Sequence, residues 1–156
     1  MTNNDILKRL RYVFNFSDTE MITTFELADF ETNRAQVSNW LKKEEDADFV
    51  GMNDVELALF LNGLINKNRG KREGEQPEPE TYLDNNTILK KLKIALSLKS
   101  DELLAIFKLA DIEMSQHELS AFLRNPNQTQ FTTLNDQYLR NFLMGLQKKF
   151  RPETAQ

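Results

Sequence analysis

Apolar residues recur three and four positions apart along most of the chain, and alternating runs of β-branched residues bounded by turn residues do not occur, so the pattern predicts helices and no strands. The first stripe is Ile6, Leu7, Leu10, Val13 and Phe14, in a helix expected to follow Asn4. The second is Met21, Ile22, Phe25 and Ala28, introduced by Ser17-Asp-Thr-Glu20, a capping box in which the hydroxyl accepts from the third helical amide and the carboxylate reaches back. A third helix is predicted to begin near Thr32, with Val37, Trp40 and Leu41 inward. A fourth begins at Asn53 and buries Leu57, Phe60, Leu61 and Leu64.

The same four stripes then return. Asn3 to Arg69 aligns onto Asn85 to Arg151 at a constant shift of 82 positions, with 24 identities among 67 aligned pairs and no gap, so the chain is a tandem duplication. NNDILKRLRYVF answers to NNTILKKLKIAL, and FELADFE to FKLADIE. The third helix of the second copy opens on a capping box of its own, Ser115-Gln-His-Glu118. The predicted organisation is a first helical repeat over 1–69, a linker over 70–84 rich in proline, glycine and acid, a second repeat over 85–151 and a tail over 152–156. A single copy is near the size below which one core is marginal, roughly 70 to 80 residues. The expected architecture is therefore all-α, with two four-helix repeats packed on one another in approximate internal twofold symmetry.

Gly63 and Gly145 fall at matching points inside the fourth helix of each copy, where glycine costs about 1 kcal/mol against alanine. Close approach of another helix is the reading that offsets this cost, with a ligand lying on bare backbone as its alternative.

Composition removes much chemistry. With no cysteine and one histidine in 156 residues, disulfides, thiolate zinc sites, a cysteine nucleophile and a histidine metal cluster are excluded. No cofactor is expected. The polar opening MTNNDILKRL lacks the apolar core of a secretion signal and no apolar run is long enough to span a bilayer, so a cytoplasmic protein without membrane contact is expected.

The remaining candidates are few. His117 has Ala35 as its counterpart and is read as a surface side chain. The acidic run Glu44, Glu45, Asp46 and Asp48 fails the calcium-loop spacing, since from Asp46 the fifth position is Val50 and the twelfth is Leu57, so it is read as a solvated loop. Asp29/Glu31 and Asp111/Glu113 repeat between the second and third helices. A carboxylate enzyme would need such pairs in differently tuned, part-buried environments, and capping or solubility is the plainer role. Lys8, Arg9 and Arg11, matched by Lys90, Lys91 and Lys93, are the candidate anion or nucleic-acid contacts, expected on the outer face of the first helix of each copy. Charge is uneven, with net −4 over 1–69, −3 over the linker and +3 over 85–156.

The segment from Phe25 to Leu41 resembles a DNA-reading helix-turn-helix, with a packed alanine, a short turn and a polar helix carrying an inward valine. Asn33, Arg34, Gln36 and Asn39 would then face bases or phosphates. The turn reads about one residue short and without its usual glycine, and the chain is acidic overall where a basic footprint is expected. The primary expectation is a non-enzymatic, protein-binding helical module. A DNA-binding regulator is the alternative, and a carboxylate enzyme comes third.

The doubled pattern, including FxLADxE, VSNWLKKEE and ALFLNGLINKNRGK, resembles the YehS-like bacterial family, domain of unknown function number 1456, over nearly the whole chain. The resemblance implies a cytoplasmic bacterial protein of two domain copies, and supplies no activity, cofactor or catalytic motif.

Overall fold

The computed structural model describes residues 1–154. The described residues form eight α-helices and a short final 3₁₀ turn at Pro152–Thr154, and no strand. The remainder of the predicted tail, 155 and 156, lies outside the described residues. Among the described residues no helix is long and apolar enough to cross a membrane. The chain divides into two compact units, the first Met1–Leu83 and the second beginning at Asp84.

In the first unit α1 (Asn3–Phe14) and α2 (Asp18–Glu26) pack with α3 (Arg34–Leu41) and α4 (Asp54–Arg69). Phe25 of α2 is the hub of the core: its ring lies 5.3 Å from those of Trp40 and Phe60 and 5.8 Å from that of Phe30. These tilted arrangements suit the ring quadrupoles. Leu7, Leu10, Met21, Leu57 and Leu61 complete a fully buried interior.

In the second unit α5 (Asn85–Ala95), α6 (Ser100–Leu109), α7 (Gln116–Leu123) and α8 (Asp136–Phe150) repeat the pattern. Phe107 and Phe142 pack in a tilted pair at 5.1 Å, among buried Ile88, Leu92, Leu103 and Leu139. The capping boxes predicted at Ser17/Glu20 and Ser115/Glu118 are formed. Asn53 and Asn135 cap α4 and α8 as expected.

Three expected boundaries move. Helix α1 does not follow Asn4: it starts at Asn3 and is capped by Thr2, whose hydroxyl accepts from the Asp5 amide. Helix α3 starts at Arg34, two residues beyond Thr32, because Asn33 accepts from the Gln36 amide and so caps it. Helix α2 stops at Glu26, which leaves Ala28 buried but outside it, and Asp29 turns the chain at a positive φ of 58°. Asp111 does the same at 63°, a conformation aspartate tolerates better than most residues.

The moved start of α1 exposes the feature that ties each unit together. Asn4 is only 4% exposed. Its side-chain amide donates to the carbonyl oxygens of Trp40 and Val50, both at 2.9 Å, and its Oδ1 accepts from the Met52 amide at 2.9 Å. Asn86, 2% exposed, makes the same three bonds to Phe122, Thr132 and Leu134, each at 2.9 Å. One asparagine thus satisfies three backbone groups that the irregular connection after α3 or α7 leaves without helical partners. The preceding asparagines add a second tie, Asn3 to Asp54 at 2.8 Å and Asn85 to Asp136 at 2.7 Å.

The glycines serve a close crossing. A Cβ added at Gly63 would collide with the Thr24 carbonyl oxygen, and one at Gly145 with that of Ile106, the residue equivalent to Thr24. In each unit the last helix thus lies against the backbone of the second, in line with the packing reading of these positions.

The segment after α4 holds no regular structure but is fastened to the first unit. Lys71 pairs with Asp29 at 2.7 Å, the Asn66 side chain donates to Gln76 at 2.8 Å, and buried Leu83 donates its amide to Asp54 at 2.9 Å.

Candidate functional site

The six candidate cations of the first helices are half-buried rather than spread on an open face. Arg11 pairs with Asp18 at 3.6 Å. Lys90 donates at 2.9 Å to the carbonyl oxygen of Arg124, just past the end of α7, where a cation offsets the helix dipole. Lys8, Arg9, Lys91 and Lys93 lie along the same helices. Next to them stand Tyr12, 42% exposed, and Ile94, 47% exposed, at equivalent positions 82 residues apart. Each unit therefore keeps an apolar side chain on the surface one turn after a lysine, Lys8 or Lys90.

The structure draws the four candidates of helix three into local roles. Asn33 is the cap of α3. Arg34 lies 3.8 Å from Asp18. Gln36 accepts from the Thr32 hydroxyl at 2.7 Å, and Asn39 accepts from the Lys42 ammonium at 2.7 Å. The connection from α2 to α3 is Leu27–Asn33, seven residues, longer than the three or four of a DNA-reading motif. The expectation of a turn one residue short is corrected here, because α2 ends early at the left-handed Asp29.

Asp29, Glu31, Asp111 and Glu113 are all exposed, and Asp29 pairs with Lys71. The acidic run 44–48 is exposed too: Asp46 accepts from the Asp48 amide at 2.9 Å, and Asp48 lies 4.0 Å from Lys42. Among the described residues no group of three or more potential ligands could hold a metal ion. Exposed His117 lines an open depression of about 450 Å³ with Glu118, Phe122, Thr132 and Tyr138. There the Phe122 and Tyr138 rings lie 5.5 Å apart.

Two carboxyl groups with depressed pKa, Glu20 and Asp136, lie in the first turns of α2 and α8. The Ser17 amide and hydroxyl hold Glu20 below its ordinary value, and the Asn85 side-chain amide, as the largest cause, does so for Asp136.

Sequence reasoning missed the Asn3/Asn4 and Asn85/Asn86 ties, although the identical NN at both openings was a visible signal. It also missed Arg124 and Tyr138, neither of which carries a motif.

A four-helix unit that occurs twice in one chain defines a class of duplicated all-helical proteins. The chain belongs to the family described as "Protein of unknown function (DUF1456)", which matches residues 3–70 and 85–151, one segment in each unit. It is similar to "Uncharacterized protein YehS" of Escherichia coli (strain K12), with 40% identity over 147 residues that cover 94% of each chain. No solved structure matches it.

Proposed function

We propose that this chain is a non-enzymatic protein-interaction module of the bacterial cytoplasm, and that the surfaces of α1 and α5 receive an acidic segment of a partner protein. The observation that carries the reading is the repeated placement of Tyr12 and Ile94 on the surface beside half-buried cations. An apolar anchor flanked by cations suits a segment that combines apolar and acidic side chains, where the anchor contributes affinity and the charges contribute orientation. Exposure of the four repeated carboxylates weighs against the enzyme reading. The local roles of Asn33, Arg34, Gln36 and Asn39, with the long connection before them, weigh against the DNA reading.

Crosslinking and affinity recovery from native cells, scored for both protein and nucleic acid, tests this. The intact chain is expected to recover a defined protein, and a chain carrying Tyr12→Ser and Ile94→Ser is expected to lose it while keeping its helical circular dichroism. Recovery of nucleic acid alone, or equal recovery by the variant, would overturn the reading.

A further inference from the structure

The two copies handle one corner of the bundle differently. In the first unit Asp18, the opening residue of α2, stands between Arg11 at 3.6 Å and Arg34 at 3.8 Å, so the chain supplies its own anion. In the second unit the equivalent of Asp18 is Ser100, that of Arg34 is Gln116, and that of Asp46 is Gln128. The cations at the equivalents of Lys8, Arg11 and Lys42 remain, as Lys90, Lys93 and Arg124. Two carboxylates and one cation have left these positions and three cations remain, while Asp101 follows Ser100 where the first copy has Thr19.

The vacated corner is a pocket. It has a volume of about 330 Å³, opens to solvent, and is lined by Ser100, Gln116, Ser120, Leu123, Arg124 and Gln128. Arg124 is the only charged lining residue, and its Nε, like that of Arg11 in the first unit, is buried with no hydrogen-bond partner among the described residues. Lys90 adds a second positive charge through its bond to the Arg124 carbonyl oxygen. The remaining polar lining offers two hydroxyls and two amides, all able to donate. The acid closest in sequence, Asp101, is exposed and is not among the lining residues. Helix α6, which Ser100 opens, has no side-chain acceptor at its cap, Lys99, where the first copy has Ser17.

We propose that this pocket of the second unit binds the phosphate group of a small phosphorylated molecule, with Arg124 as its principal cation and Ser100, Gln116, Ser120 and Gln128 as donors. A guanidinium matches phosphate with paired hydrogen bonds, and neutral donors surround the charge without competing for it. Pockets of this size hold small molecules. The inference shares Lys90 of α5 with the partner-binding reading, but every lining residue of the pocket lies outside α1 and α5.

Inorganic phosphate and pyrophosphate, titrated separately into the full chain and followed by nuclear magnetic resonance, test the site. Saturable shifts are expected at Ser100, Gln116, Ser120 and the terminal guanidinium N–H groups of Arg124, with pyrophosphate the tighter of the two. Arg124→Gln is expected to weaken binding tenfold or more. Ser100→Asp restores the carboxylate that the first unit carries, so it is expected to fold normally and to abolish binding. Non-saturating shifts, shifts centred on Lys8 or Lys93, or undiminished affinity in Ser100→Asp would overturn the proposal.

Discussion

Gly63 lies against the carbonyl group of Thr24 so closely that a Cβ there would stand 2.8 Å from the carbonyl carbon and nearer still to its oxygen. Elsewhere in a helix, glycine to alanine gains about 1 kcal/mol. Here the neighbour is backbone and cannot rotate away. Gly63→Ala and Gly145→Ala are each expected to destabilise their own unit, by about 1 to 3 kcal/mol, the range of overpacked cores. Chemical denaturation followed by circular dichroism checks this, and a gain in stability would refute the crossing.

Asn4 and Asn86 invite a sharper test. Replacement by alanine leaves a buried amide and two carbonyls without their partner, at a cost of about 1 to 3 kcal/mol for each group that water cannot reach. Asn4→Asp keeps the shape but aims oxygen at the carbonyls of Trp40 and Val50. Its deficit relative to the parent chain is expected to be largest at neutral pH and to shrink in acid, as the new carboxyl takes up a proton and regains a donor. Denaturation midpoints at pH 7 and pH 4 compare the two.

Much of this fold is legible in the sequence because the determinants are local. The capping pairs Ser17/Glu20 and Ser115/Glu118 sit three residues apart, and the stripes of Leu7 and Leu10 or Leu57 and Leu61 repeat at helical spacing. The role of Asn4 depends on carbonyl groups 36 and 46 residues away, and asparagine near a helix start reads first as a cap. The left-handed turn at Asp29 is hidden for a similar reason, since no glycine marks it. The pocket at Arg124 arises from what the second copy lacks, and an absent carboxylate becomes visible only when equivalent positions are seen in space.

Asn33 separates capping from nucleic-acid contact. Asn33→Ala removes the acceptor for the Gln36 amide, and stability is expected to fall by about 1 kcal/mol. A mobility shift with duplex DNA at low salt is expected to show no retention for either chain. Retention by the parent that the variant loses would restore the DNA reading.

Stability should fall in acid through the helix starts. Glu20 has a folded pKa below its ordinary 4.5, and Asp136 one below 3.8. A carboxyl whose pKa is lower in the folded state contributes stability that is fully present above the ordinary value and is lost as pH falls through the lowered one. Glu20→Gln is expected to flatten this part of the pH profile in the first unit only. Thermal unfolding between pH 5 and pH 2.5 measures the difference, and an unchanged profile would contradict the assigned role.

The central claim is that one helical unit occurs twice, each copy closed by the same buried asparagine. Hydrogen exchange of the Asn4 and Asn86 side-chain amides in the full chain tests it most directly. Both pairs of protons are predicted to exchange only when their unit opens. Exchange at the solvent rate for either would show that the copies are not held in the same way, and would contradict the account.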